Sequence, residues 1–309
     1  MNSKLIVYPT DFSDCAKNAL AYVIAMGKAL KCKIKIVHAI EMGGIATSEE
    51  NPNILLETIT VLEEYAEQML ERLKKEIVSF GLECDYDILQ GRTLFLKDYM
   101  QNLNPLMIVM GTIGKNNLEN KIFGSLAAQT IRNPKSIVLA IPEKAKFNNL
   151  SEIVFATDYH INDKTSIELI KKITTYFKAR LRVIHICEDI NSVKQDRHNL
   201  LKLENEISKS ISSKNLHFEL LFGEDPEDKL LEFLEKSKPD MLCLITRQRN
   251  FYSIIRAHSR GCRSFFFFYY WMNQVFFCSG CNNCLCFVVN RINKSQWTTH
   301  RHFCARPYQ

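Results

Sequence analysis

Leu106-Met-Ile-Val-Met-Gly-Thr-Ile-Gly-Lys-Asn-Asn-Leu-Glu-Asn-Lys-Ile-Phe-Gly-Ser-Leu126 is the stretch that decides the fold. Its first residues, Leu106 to Met110, make an unbroken apolar run of the length expected for a buried strand. Gly111, Gly114 and Gly124-Ser125 then stand in a G-x2-G-x9-G-S frame, followed by a helical segment over roughly 125–132. A buried strand that opens through glycines into a helix is a recurring way to hold phosphate. Glycines let the backbone turn and approach the ligand, and the helix N-terminus offers unpaired N–H donors and a positive dipole end.

Upstream, Lys4-Leu-Ile-Val-Tyr8 reads as a short buried strand stopped by Pro9-Thr10-Asp11. Ala16, Ala19, Leu20, Val23, Ile24 and Leu30 follow helical spacing after it, with Ser13 or Asp11 as the N-cap. Lys33 to Ala39 is a second strand. Leu55, Ile59, Leu62, Ala66, Met69, Leu73, Ile77 and Phe80 form one stripe of a long helix, which Gly81 stops. Cys84, Tyr86 and Ile88 alternate as a third strand, and a short helix follows Gly91 to about Asn102. Downstream of the glycine frame, Ser136 to Ile141 supplies a last strand. Strands alternating with helices predict an α/β fold: right-handed crossovers and a mostly parallel sheet covered on both faces.

The second half repeats this plan. Glu152-Ile-Val-Phe-Ala-Thr-Asp158 restates Leu5-Ile-Val-Tyr-Pro-Thr-Asp11, and Arg182-Val-Ile-His-Ile186 restates Lys35-Ile-Val-His-Ala39, both at an offset of 147. Gly223 answers Gly91 and Lys238-Pro-Asp240 answers Asn104-Pro-Leu106, at 132 and 134, so the second long helix is expected to be shorter. Asp225-Pro226 fits an N-cap and first helical position. A period this long signals duplicated domains. After Met241-Leu-Cys-Leu-Ile245, however, Thr246 and Arg249 stand where glycines would, so the second copy is expected not to bind nucleotide as the first does.

Beyond about Ser253 neither period persists, and no acidic residue follows Asp240. The expected organisation is a first domain over 1–145, a second copy over 150–255 without the glycine loop or last strand, and an unpatterned Cys/Phe-rich tail over 256–309. A shifted reading frame is the expected origin of that tail. Its Cys278, Cys281, Cys284 and Cys286 lack the spacing of zinc or iron–sulfur sites, so no metal is expected.

The net charge of +6 comes entirely from Arg260, Arg263, Arg291, Lys294, Arg301 and Arg306 after His258, and residues 1–257 balance, so the patterned part offers no basic face for nucleic acid. No run reaches the roughly 18 apolar residues of a membrane span. Cysteines scattered singly before residue 257 suit reduced thiols, and a cytoplasmic protein is expected.

These residues resemble the universal stress proteins, in a tandem two-domain form. The G-x2-G-x9-G-S frame is the signature of that family's ATP-binding branch, and the Asp of Pro9-Thr10-Asp11 is its usual companion. The resemblance implies two Rossmann-like open sheets flanked by helices, the second incomplete, with ATP (with or without Mg) across the carboxyl ends of strands one and four. It would set Pro9, Thr10 and Asp11 by the ribose or adenine, and Ala39 against the adenine. Met110 and Gly111 would border the ribose and first phosphate. Gly114, Gly124, Ser125 and Leu126 would hold the phosphates, with Lys115 adding charge. Asp11 remains readable as a helix cap and Ser125 as an N-cap. His38 and His185 read as strand-end packing. No nucleophile–base pair or paired carboxylates appear before residue 250, and Asn116 stands where a P-loop needs Ser or Thr. The implied function is an ATP-binding stress protein acting through nucleotide-dependent conformation or partner binding, without fast catalysis. A slow ATPase and a non-nucleotide dimerisation scaffold are the alternatives. Domains would pair within the chain or as a homodimer, through last strands such as Ser136–Ile141.

Overall fold

The computed structural model describes residues 4–40, 52–91, 93–112, 124–132, 136–157, 163–208, 215–245 and 265–268. The chain divides into a unit over Met1–Tyr270 and another over Trp271–Gln309, and every described element lies in the first. Strands and helices alternate through the first copy: β1 (Leu5–Pro9), α1 (Asp14–Leu30), β2 (Lys33–Ile40), α2 (Pro52–Ser79), β3 (Cys84–Gln90), α3 (Thr93–Asn102), β4 (Met107–Gly111), α4 (Ser125–Arg132) and β5 (Ile137–Ile141). The second copy follows with β6 (Glu152–Ala156), α5 (Asp163–Phe177), β7 (Arg180–Cys187), α6 (Val193–Ser208), β8 (Leu216–Phe222), α7 (Pro226–Ser237) and β9 (Met241–Ile245).

Each copy builds its own parallel sheet, ordered β3-β2-β1-β4-β5 in the first and β8-β7-β6-β9 in the second. The register repeats as well as the order. Leu5 pairs with Lys33 and Glu152 with Arg180; Ile6 pairs with Met107 and Ile153 with Met241. Even left-handed backbone recurs, at Lys31 and Lys178 after the first helix and at Asn104 and Lys238 before the fourth strand. Among non-glycine residues this region is sparsely used, so its recurrence marks a shared chain path rather than coincidence.

Sequence reading leaves the second copy without a last strand and the β5 edge open to another chain. In the structure, β10 (Phe265–Phe268) runs parallel to β9 and antiparallel to β5, joining both sheets into one of ten strands. A run of four aromatics has high strand propensity, and two bare sheet edges offer it a complete ladder on either side. The second sheet remains the smaller, with four strands of its own. The rest of 256–309 lies outside the described residues, as does the bearing of a shifted frame upon it.

Side chains of β1 alternate between two layers. Ile6 and Tyr8 enter a core with α1 and α2, whereas Val7 enters another with α3 and α4. Tyr8 is fully buried and donates its hydroxyl to the Ala16 carbonyl (2.7 Å), tying β1 to α1. Ser13 caps α1, accepting from the Ala16 N–H (3.2 Å). In α2 the buried line is Ala66, Leu70 and Ile77, with Met69 and Leu73 alongside; Leu62 and Phe80, expected in the stripe, are exposed. A helix of 28 residues runs about 42 Å at 1.5 Å per residue, which outreaches the strands it covers. Its C-terminal half packs on the core through Ala66, Leu70 and Ile77. Asp225 caps α7, its carboxylate accepting from the Asp228 N–H (3.1 Å), as the sequence suggests.

Candidate functional site

The strand order reverses between β1 and β4: β1 is flanked by β2 on one side and β4 on the other, and the chain leaves both strands at the same edge. Helices α1 and α4 start there, on opposite faces of the sheet. Loops diverging in this way open a crevice, which is where open α/β sheets bind ligands.

Pro9 ends β1, and Thr10 continues its ladder by donating its N–H to the Val37 carbonyl (3.0 Å). The loop then turns sharply. Phe12 takes a left-handed φ of 60°, held because Thr10 Oγ1 accepts from the Phe12 N–H (3.1 Å) and Asp11 Oδ1 accepts from the Ser13 N–H (3.0 Å). Asp11 thus braces the turn, while Ser13 is the cap of α1. The Phe12 ring lies 4.4 Å from that of His38, whose Nδ1 is 2.8 Å from the Thr10 carbonyl. A carbonyl only accepts, so Nδ1 carries a proton. His185 meets the Thr157 carbonyl at the same 2.8 Å in the second copy. Both histidines therefore lock the loop after the first strand, in keeping with the strand-end reading.

Met110 and Gly111 end β4. The Met110 side chain is buried in the core, so only its main chain borders the crevice. Gly111 has a reason that sequence reading missed. A Cβ there would come within 2.8 Å of Cys15 Sγ and 3.0 Å of the Cys15 main chain. The first turn of α1 sits directly on this glycine, so close helix–strand packing requires it. Cys15 is buried and donates its S–H toward the Ile141 carbonyl (3.5 Å), which fixes the same corner.

Thr112 was also missed, and it ties the end of β4 to the start of α4. Its N–H donates to the Ile141 carbonyl (2.9 Å) and its carbonyl accepts from the Gly124 N–H (2.7 Å). The loop between them leaves and returns to one point. Gly124 is the residue that opens α4, since its carbonyl accepts from the Ala128 N–H (3.0 Å). Ser125, expected as the N-cap, is instead the first helical residue, and is exposed; Leu126 is half-buried on the core. The N–H groups of a first helical turn lack intrahelical partners, so Ser125 and Leu126 bring donors to the rim. Gly114 and Lys115 lie outside the described residues. Ala39 lies near the carboxyl end of β2, opposite Leu89 of β3, on the face covered by α3 and α4. The structure thus gathers Pro9, Thr10, Asp11, Ala39, Met110, Gly111, Gly124, Ser125 and Leu126 along one sheet edge.

The second copy differs here. Strand pairing sets Ile245 at the position of Gly111, one residue before the Thr246 that sequence comparison puts there, because Met241 occupies the place of Met107. Either way a side chain replaces the glycine. Asp158, the counterpart of Asp11, lies outside the described residues. At the carboxyl end of β7 the second copy carries a polar cluster instead. Asp196 Oδ2 accepts from the Ser192 hydroxyl (2.8 Å) and lies 3.7 Å from His185 Nε2, and Cys187 Sγ is 3.2 Å from Ser192 Oγ. Burial alone would raise the Asp196 carboxyl. Hydrogen bonds from Ser192 and Cys187 and the charge of His185 outweigh it and hold the group below the ordinary carboxylate range.

Among the described residues no helix is long and apolar enough to cross a membrane, and no cluster of three or more metal-ligating side chains occurs. Residues 2–142 match the universal stress protein family. One universal stress protein of Methanocaldococcus jannaschii is 30% identical over 160 residues, spanning 46% of this chain and 96% of its own length. A second from the same organism is 26% identical over 146 residues, spanning 46% and 84%. A solved universal stress protein of Archaeoglobus fulgidus shares the fold across both copies, with TM-score 0.65 at 17% identity over 86% of this chain and 98% of its own. The chain belongs to the universal stress protein family.

Proposed function

We propose that the first copy binds ATP, with or without Mg, in the crevice between β1 and β4, and that the protein acts in the cytoplasmic stress response. In this reading bound nucleotide stabilises one conformation that partners recognise. The observation that carries it is the meeting of three features at one edge: the Thr10–Asp11 turn, the end of β4 at Gly111–Thr112, and the opening of α4 at Gly124. Main-chain N–H groups, a hydroxyl and one carboxylate suit holding a polyphosphate and a ribose. They do not compose a base and a nucleophile, so binding without fast turnover is favoured over hydrolysis.

Asp11 would take the ribose or adenine side and Ala39 the adenine face. Gly114, Gly124, Ser125 and Leu126 would take the phosphates. Calorimetry with ATP on the wild-type chain and on Gly114→Val tests this. The expected result is binding by the wild type and a loss of about a hundredfold or more in the variant, equivalent to roughly 3 kcal/mol. Equal affinities would sink the site assignment. Turnover above a few per hour that vanishes in Asp11→Ala would favour the slow ATPase.

A further inference from the structure

We infer that Phe95 contacts the base of the bound nucleotide and strengthens its binding; this rests on the ATP reading above. Phe95 lies in the first turn of α3, at the carboxyl edge of the sheet, and is 66% exposed. Its neighbour Leu96 is buried and anchors α3 to the core, so packing does not demand a second large apolar side chain beside it. The Phe95 ring stands over Gly91, where an added Cβ would lie 3.8 Å from its Cδ2. Gly91 in turn donates its N–H to the Ile40 carbonyl (3.1 Å), at the end of β2. Gly91 is thus one strand away from Ala39, at the start of the helix that covers the face Ala39 and Leu89 share. A base lying against Ala39, with its ribose toward Asp11, extends toward this ring. Flat aromatic faces receive bases well, through stacking that is tolerant of which base it is.

The second copy serves as an internal control. There Lys229 covers Gly223 as Phe95 covers Gly91, with a Cβ at Gly223 falling 2.7 Å from Lys229 Cβ. Lys229 pairs with Glu232 (2.7 Å), an ordinary solvated arrangement. The aromatic ring occurs in the copy that keeps the glycine frame, and a lysine in the copy that lacks it.

The test is calorimetry with ATP on the full chain for wild type, Phe95→Ala and Phe95→Trp, with thermal melts alongside. The expected result is about tenfold weaker ATP binding in Phe95→Ala, in the range base–aromatic stacking provides, an unchanged melt, and recovery to within about twofold in Phe95→Trp. Phe95→Ala within twofold of wild type, or Phe95→Trp as weak as Phe95→Ala, overturns the inference while leaving the ATP reading intact. A wild-type chain that binds no ATP overturns both.

Discussion

The two copies keep the same scaffold and part company at its carboxyl edge. Registers, left-handed turns and the histidine lock on the first loop are held in common. So is a charged pair on the outer strands: Lys35 bridges Asp85 and Asp87 in the first copy, and Arg182 bridges Glu152 and Glu219 in the second. What differs is the glycine after the fourth strand, the ring over the end of the third, and the length of the second helix, 28 residues in α2 against 16 in α6. Duplication thus sorts residues by purpose. Features present in both copies belong to folding, and features present in one are the candidates for ligand binding.

Gly111 tests that sorting hardest, because it differs between the copies yet has a packing reason. Gly111→Ala is expected to destabilise the chain by about 1–3 kcal/mol, the usual cost of overpacking, since the Cys15 main chain cannot yield. Urea denaturation measures this. A loss of ATP affinity with stability unchanged would instead make Gly111 a ligand-facing glycine. The next effect concerns the charged pairs. Arg182→Met is expected to cost about 1–2 kcal/mol and Lys35→Met less, because Arg182 Nη2 donates to both Glu219 oxygens at 2.9 Å, Nη1 donates to Glu152 (3.0 Å), and the guanidinium lies 4.5 Å over the Phe233 ring. Equal costs in the same denaturation series would mean that the pairs are interchangeable. The smallest effect is confined to the second copy. Asp196 is depressed in the fold, so its contribution is present above the unfolded carboxylate range near pH 4 and fades as pH falls through its lower folded value. Asp196→Asn should flatten stability against pH below about pH 5. An unchanged profile would remove that cluster from the list of differences.

Much of this was legible in the chain itself. Alternating strands and helices, the duplication and its offsets and the Asp225 cap follow from periodicity and spacing, which local physics fixes; the placing of the glycine frame beside Asp11 is what the family resemblance implies. What was not legible depends on contacts between distant residues. Nothing near Gly111 in the sequence announces that Cys15 packs on it, nor that Thr112 pins Gly124. The one-residue difference between Ile245 and Thr246 needed the ladder of β6 and β9. Leu62 keeps helical spacing but is exposed on the N-terminal side of the buried line, and Phe80 falls just past the end of α2. Phe265–Phe268 has no period to read, yet two unfilled edges recruit it.

That last strand has a consequence for how the halves assemble. Two separate domains meeting through their edges would associate by mass action and part on dilution. Here both partners belong to one chain, so closure of β5 against β10 is a unimolecular event with an effective concentration set by the tether. The joint should hold equally well in a dilute solution and a crowded one.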